Sequence, residues 1–231
     1  MIFPPREVGK LDTGLRFTDI LFGFVIREIF LRLQQWGDLP AYVRWQLIAA
    51  TVLVLGSWIG FRRSLNRPGY ELKFFNLPFF MFVLDQVMVI TYFRVATRTP
   101  QDPTADAPPS ADALVDTTLE ALLLIFGLYI TWDLLAAWMA KAKDRTDPAR
   151  GLKYPKIDRD KKEALPGQAR KPDIRGLAIT VLCAALLGVL TVIASKSTID
   201  SDSAITVFVV AAAVLLLYRW LKEAKASLWP A

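Results

Sequence analysis

Hydrophobic residues gather into six long runs, at 16–36, 43–62, 74–95, 114–140, 176–195 and 204–221, separated by polar or proline-rich segments. A helix needs about 20 apolar residues to cross roughly 30 Å of hydrocarbon. The pattern predicts an all-α integral membrane protein with six transmembrane helices. The second run, VRWQLIAATVLVLGSWIGF, is uncharged past Arg44 and carries Trp45 and Trp58 near its ends, where an aromatic belt would place them. The third has Pro78 in its first turns and Asp85 near its middle, and the fourth holds Asp116, Glu120 and Asp133. The last two, rich in Ala, Val and Leu, read as a hairpin in a lipid-facing outer layer.

The first run departs from this pattern. GLRFTDILFGFVIREIFLRLQQW, from Gly14 to Trp36, is apolar enough to enter a membrane yet carries Asp19, Arg27, Glu28 and Arg32. A charge at the centre of a bilayer helix costs roughly 2.5–3.5 kcal/mol. Several in one helix predict that it is shielded from lipid, packed among other helices or facing water. Asp12 or Thr13 can cap its start, and Gly37-Asp38-Leu39-Pro40 stops it and turns the chain.

Charge in the connecting segments predicts orientation. Arg62, Arg63, Arg67 and Lys73 flank the second-to-third connection, and 141–175 holds 12 Lys/Arg against 6 Asp/Glu. The 97–113 linker is acidic and proline-rich, and Asp200 and Asp202 mark the last hairpin. Basic and acidic connections alternate, which under the positive-inside rule places both termini in the cytoplasm. The expected organisation is a four-helix membrane core over 1–140, a basic cytoplasmic loop over 141–175 and a terminal hairpin with a short tail over 176–231. A first helix lying flat on the outer surface is the alternative.

Composition then narrows the chemistry. The chain has 231 residues, a formal net charge of +6, no histidine and one cysteine, Cys183. That set argues against His/Cys metal centres, haem and an intrachain disulfide, and no cofactor is expected. The clustering of basic residues in particular loops reads as topology rather than nucleic-acid binding; 141–175 can also meet anionic lipid headgroups. No phosphate-cradling, zinc-protease or nucleophile-elbow motif occurs, and with no histidine any acid–base work would fall to carboxylates, so an enzyme is not expected. The N-terminal MIFPPREVGKLD lacks the order of a secretory signal and is expected to be retained.

Counting residues from the cytoplasmic end places Arg27, Glu28 and Asp85 near one midplane level, where Arg27 and Asp85 could pair. Glu28 and Arg32, four apart, could pair along the first helix. These groups are either structural ties or the walls of a cation or proton path. Asp19, Trp58, Arg62, Arg63, Asn76 and Asp133 fall near the inner surface as a polar cluster, with Asp19 a partner for Arg62 or Arg63. Asp116 and Glu120 lie toward the outer end, as a cap or an outer mouth.

FTDILFGF, Phe17 to Phe24, resembles the Phe-Ser-Asp signature that opens the first helix of the endolysosomal potassium channel family and its bacterial homologues. Phe17, Asp19 and Phe22 keep its spacing, with Thr18 in place of Ser. Trp58, Arg62, Arg63 and Asn76 resemble the family's second-helix ending and third-helix start. Thr13 stands where the family has Arg, and Arg27 and Glu28 interrupt the apolar run that follows. The resemblance implies an oligomer whose first helix lines a central pore, with Phe24 near the constriction. The leading expectation is a small oligomeric cation channel of the bacterial inner membrane, conducting potassium or protons along the first helix. The alternatives are a structural or assembly subunit of a larger membrane complex and a proton-coupled carrier.

Overall fold

A computed structural model describes residues 12–65, 77–97, 110–146 and 174–228, with side chains over 17–62, 79–97, 110–138 and 175–224. The described chain is helical, in six helices: α1 Asp12–Leu33, α2 Ala41–Leu65, α3 Leu77–Thr97, α4 Ala111–Thr146, α5 Ile174–Ser195 and α6 Ser201–Leu228. Five of them, α2 to α6, are long and apolar enough to cross a membrane. The protein is therefore an integral membrane protein by length and composition of its helices. α1 is not among the five, because Asp19, Arg27, Glu28 and Arg32 interrupt its apolar run.

The helices close into a ring in the order α1, α3, α4, α5, α6, α2, with α2 also touching α3 and α4 touching α6. α1 is an integral part of this ring. It buries Phe22, Val25 and Ile29, and the Phe22 ring lies 5.9 Å from Tyr92 and 6.0 Å from Phe61. α6 is more than an outer layer: Ala204, Phe208, Ala211 and Leu215 are buried, and the helix packs along α2. Small residues allow that close approach.

The two ends of the bundle differ, and are called basic and acidic below after their connecting segments. α2, α4 and α6 finish at the basic end, where 66–76 and 147–173 connect. At the acidic end, α1 finishes in a tightened turn, with Gln35 N–H donating to Arg32 O at 3.0 Å. Arg44 of α2 reaches back to Leu39 O at 2.9 Å and Gly37 O at 3.2 Å, and its guanidinium lies 5.8 Å from the Trp36 ring.

Asp200 caps α6 by accepting the Ser203 N–H at 2.9 Å. The Ser203 hydroxyl, and then that backbone bond, hold its carboxyl below the usual carboxylate range. A depressed folded value means the stabilisation is complete above the unfolded value and is lost as pH falls through the folded one. Asp200→Ala is expected to lower the melting temperature in detergent at neutral pH, with the difference from wild type shrinking in acid.

Trp36 and Trp45 are each 36% exposed near the acidic end, and Trp138 and Trp220 are 61% and 63% exposed toward the basic end. These four outline two aromatic girdles. Along α6, Asp202 to Trp220 spans 18 residues, about 27 Å, which matches a hydrocarbon core. Trp58 does not belong to the belt expected of it, because it turns toward Asp19.

Candidate functional site

Two charged clasps stand at one level near the basic end. In the first, Asp19 of α1 accepts the Trp58 indole N–H at 3.1 Å and pairs with Arg62 of α2 at 2.8 Å. The Arg62 guanidinium also lies 5.7 Å from the Trp58 ring. The second clasp joins three helices. Asp133 of α4 accepts Lys222 Nζ of α6 at 2.8 and 3.0 Å and the Thr180 hydroxyl of α5 at 2.6 Å. Lys222 Nζ sits 5.6 Å from the Tyr218 ring.

Between the clasps lies a band of hydroxyls and rings. Tyr129 of α4 hydrogen-bonds Tyr92 of α3 at 2.8 Å and Ser57 of α2. Tyr218 of α6 stacks on Tyr129 with centroids 5.6 Å apart, and Phe126 meets both rings edge-on. On the α2–α6 side, Arg219 pairs with Glu223 at 2.9 Å and lies across Gly56 and Gly60. A Cβ at Gly60 would meet the Arg219 guanidinium, the far end of a flexible side chain, which would have to swing aside.

The predicted Asp19–Arg62 pair is present. Glu28 and Arg32 pair as expected of residues four apart, at 3.3 Å. Arg32 is 9% exposed, and its Nε and Nη1 have no hydrogen-bond partner. Asp133 does not join the Asp19 cluster; it has its own partners across the bundle. The side chains of Arg63 and Asn76 lie outside the described residues.

The expected Arg27–Asp85 pair is not formed: among the described residues no ion pair joins them. Asp85 is buried, whereas Arg27 is exposed. Gln86 of α3 donates to the Thr18 hydroxyl of α1 at 2.8 Å, which sets the register of the two helices. Arg27 is nine residues beyond Thr18, so it stands about 14 Å along the axis from the level of Asp85. Counting about 11 residues up each run put them at one level, whereas the contact of Gln86 with Thr18 sets residue 18 of α1, not residue 27, beside this part of α3.

Phe24 is 57% exposed on the outward face of α1, in a stripe with Phe17, Ile20, Arg27 and Leu31. On α4, Asp116 is half-buried and Glu120 exposed. Arg27 and Glu120 have no polar partner among the described residues.

Thr180, Lys222, Ser57 and Tyr129 were absent from the sequence-based set. Thr180 is one hydroxyl in an apolar run, and Lys222 reads as a tail residue until α6 is seen to continue to Leu228. Chemically, each clasp is a carboxylate already neutralised by a cation. These groups tie helices together and leave no uncompensated carboxylate in either clasp for an ion to meet. Comparison of the chain with family models, curated proteins and solved structures finds no match.

Proposed function

We propose that this is a non-catalytic subunit of a membrane assembly that docks on another chain through the outward face of α1. In this reading α1 is a sixth span and both termini are cytoplasmic, in a bacterial inner membrane. The alternation of basic and acidic connections supports that orientation, and the basic 147–173 segment suits anionic headgroups.

Arg27 carries the reading. It lies six residues from the end of α1, too deep for its side chain to be explained as a helix-end group, and it is exposed among Phe24, Leu31 and Phe30. Facing lipid there, it would cost roughly 2.5–3.5 kcal/mol. A second protein surface removes that cost. The test is the composition of particles extracted directly into polymer nanodiscs. Native mass spectrometry is expected to find more than one polypeptide per particle, and a single chain with lipid alone would refute the proposal.

The second reading, a channel lined by α1 between subunits, is favoured by the outward position of Phe24, the residue the family resemblance places near a constriction. Arg27 on the same stripe would select against cations. Potassium and proton flux into liposomes above the protein-free rate would favour the channel, and its absence the subunit.

A further inference from the structure

Among the described residues, Arg27 of α1 and Glu120 of α4 are the exposed charged groups that lie more than one turn from the end of their helix. They are of opposite sign. Each sits in an otherwise uncharged exposed stripe that includes a glycine, Gly23 on α1 and Gly127 on α4, with nothing within 4 Å of the Cβ position. The α4 stripe runs Glu120, Leu124, Gly127, Thr131, Leu134, Trp138, at the three- and four-residue steps of one helix face.

We infer that the chain docked on α1 is a second copy of this protein, related by a two-fold axis along the membrane normal, with Arg27 of each protomer paired to Glu120 of the other. This rests on the reading that α1's outward face is an interface. α3 packs on α1 on one side and on α4 on the other, and its own exposed face, Phe80, Val83, Val87 and Ile90, is apolar. A two-fold axis beside α3 sets α1 against the partner's α4 and α4 against the partner's α1. The contact closes on itself and forms both ion pairs at once.

The levels agree. Asp19 stands beside Trp58, and Ser57 beside Tyr129, so a step of eight residues from Asp19 to Arg27 leads to about residue 122 on α4. Glu120 is two residues further on, about 3 Å along the axis. A rotation about the membrane normal preserves depth, so the two charges meet within reach of their long side chains. The other exposed cation on this side, Arg94, is in the last turn of α3, from which it can snorkel to the surface. Bringing Gly23 and Gly127 to the contact lets the helices approach closely.

The experiment uses the full chain with Cys183→Ser, in native membranes and then in detergent. Oxidation of Val87→Cys alone is expected to give a disulfide-linked dimer across the axis. Phe24→Cys and Leu124→Cys, co-expressed as separate chains, are expected to cross-link to each other. Arg27→Glu and Glu120→Arg should each weaken self-association at least tenfold by analytical ultracentrifugation, and the doubly exchanged variant should return to within about threefold of wild type. Because both charges are exposed in the protomer, each variant keeps its fold, checked by helical circular dichroism. Phe24–Leu124 cross-linking without Val87 self-linking would mean a head-to-tail ring and overturn the two-fold dimer. No self-linking at any site, with a photocrosslinker at position 24 joined to a different polypeptide, would overturn the second-copy inference and leave the docking reading standing. A photocrosslinker at position 24 that captures only lipid would remove both.

Discussion

Asp133→Leu is expected to destabilise the bundle by about 3–5 kcal/mol. The aspartate receives Lys222 through both oxygens, at 3.0 and 2.8 Å, and Thr180 at 2.6 Å. Its side chain is 15% exposed and that of Lys222 is 23%. Removing the carboxylate leaves an ammonium with no counter-charge in a poorly solvated place, and takes from the Thr180 hydroxyl the shorter of its two contacts, leaving it the Gly176 carbonyl at 3.0 Å. The lysine can partly escape along its own stem, which favours the lower part of the range. Reversible unfolding in mixed micelles measures the loss. Asp133→Leu with Lys222→Met should recover most of it, because two apolar groups of similar volume replace the pair without leaving a charge behind. If the double variant is as unstable as the single, the clasp is not what holds α4 to α6.

Phe126→Ala is expected to cost about 3–5 kcal/mol. Phe126 is fully buried, with its ring 5.5 Å from Tyr129 and 5.0 Å from Tyr218. Those tyrosines stack on each other, and Tyr129 bonds to α2 and α3, so one ring supports contacts among four helices. Truncation opens a cavity and removes two edge-on contacts. Phe126→Leu should lose markedly less. Equal losses for Ala and Leu would mean that the space around Phe126 collapses freely.

Sequence periodicity located all six helices, because long apolar runs bounded by Gly, Pro and charge have few other structures. It also located Asp19–Arg62 and Glu28–Arg32. The first pair faces across α1 and α2, which a short connection at the opposite end makes antiparallel neighbours, and the second follows from helical spacing alone. Asp133 was legible as a buried charge, whereas its partners were not. Thr180 and Lys222 lie 47 and 89 residues away, and only the packing of α5 and α6 on α4 brings them in. Asp85 shows the same limit from the other side. Its depth was counted from presumed helix starts, whereas the contact of Gln86 with Thr18 fixes how far α1 slides along α3 and leaves Arg27 about 14 Å beyond the level of Asp85. Which face of α1 turns outward was equally hidden. Phe17, Phe22 and Phe24 are alike in sequence, yet Phe22 is 2% exposed while the other two are 49% and 57%.

The central claim is that the Phe24–Arg27 face of α1 lies against protein. A nitroxide at Phe24→Cys in a Cys183→Ser background, reconstituted in bilayers, reads this directly by power-saturation electron paramagnetic resonance. A label at Val189→Cys on the exposed side of α5, where Val189 is 58% exposed, serves as the lipid-facing reference. The account predicts a label at position 24 that is immobilised and shielded from both oxygen and a water-soluble nickel chelate. High oxygen accessibility matching position 189 would contradict it, because Phe24 would then face lipid and Arg27 would share that exposure.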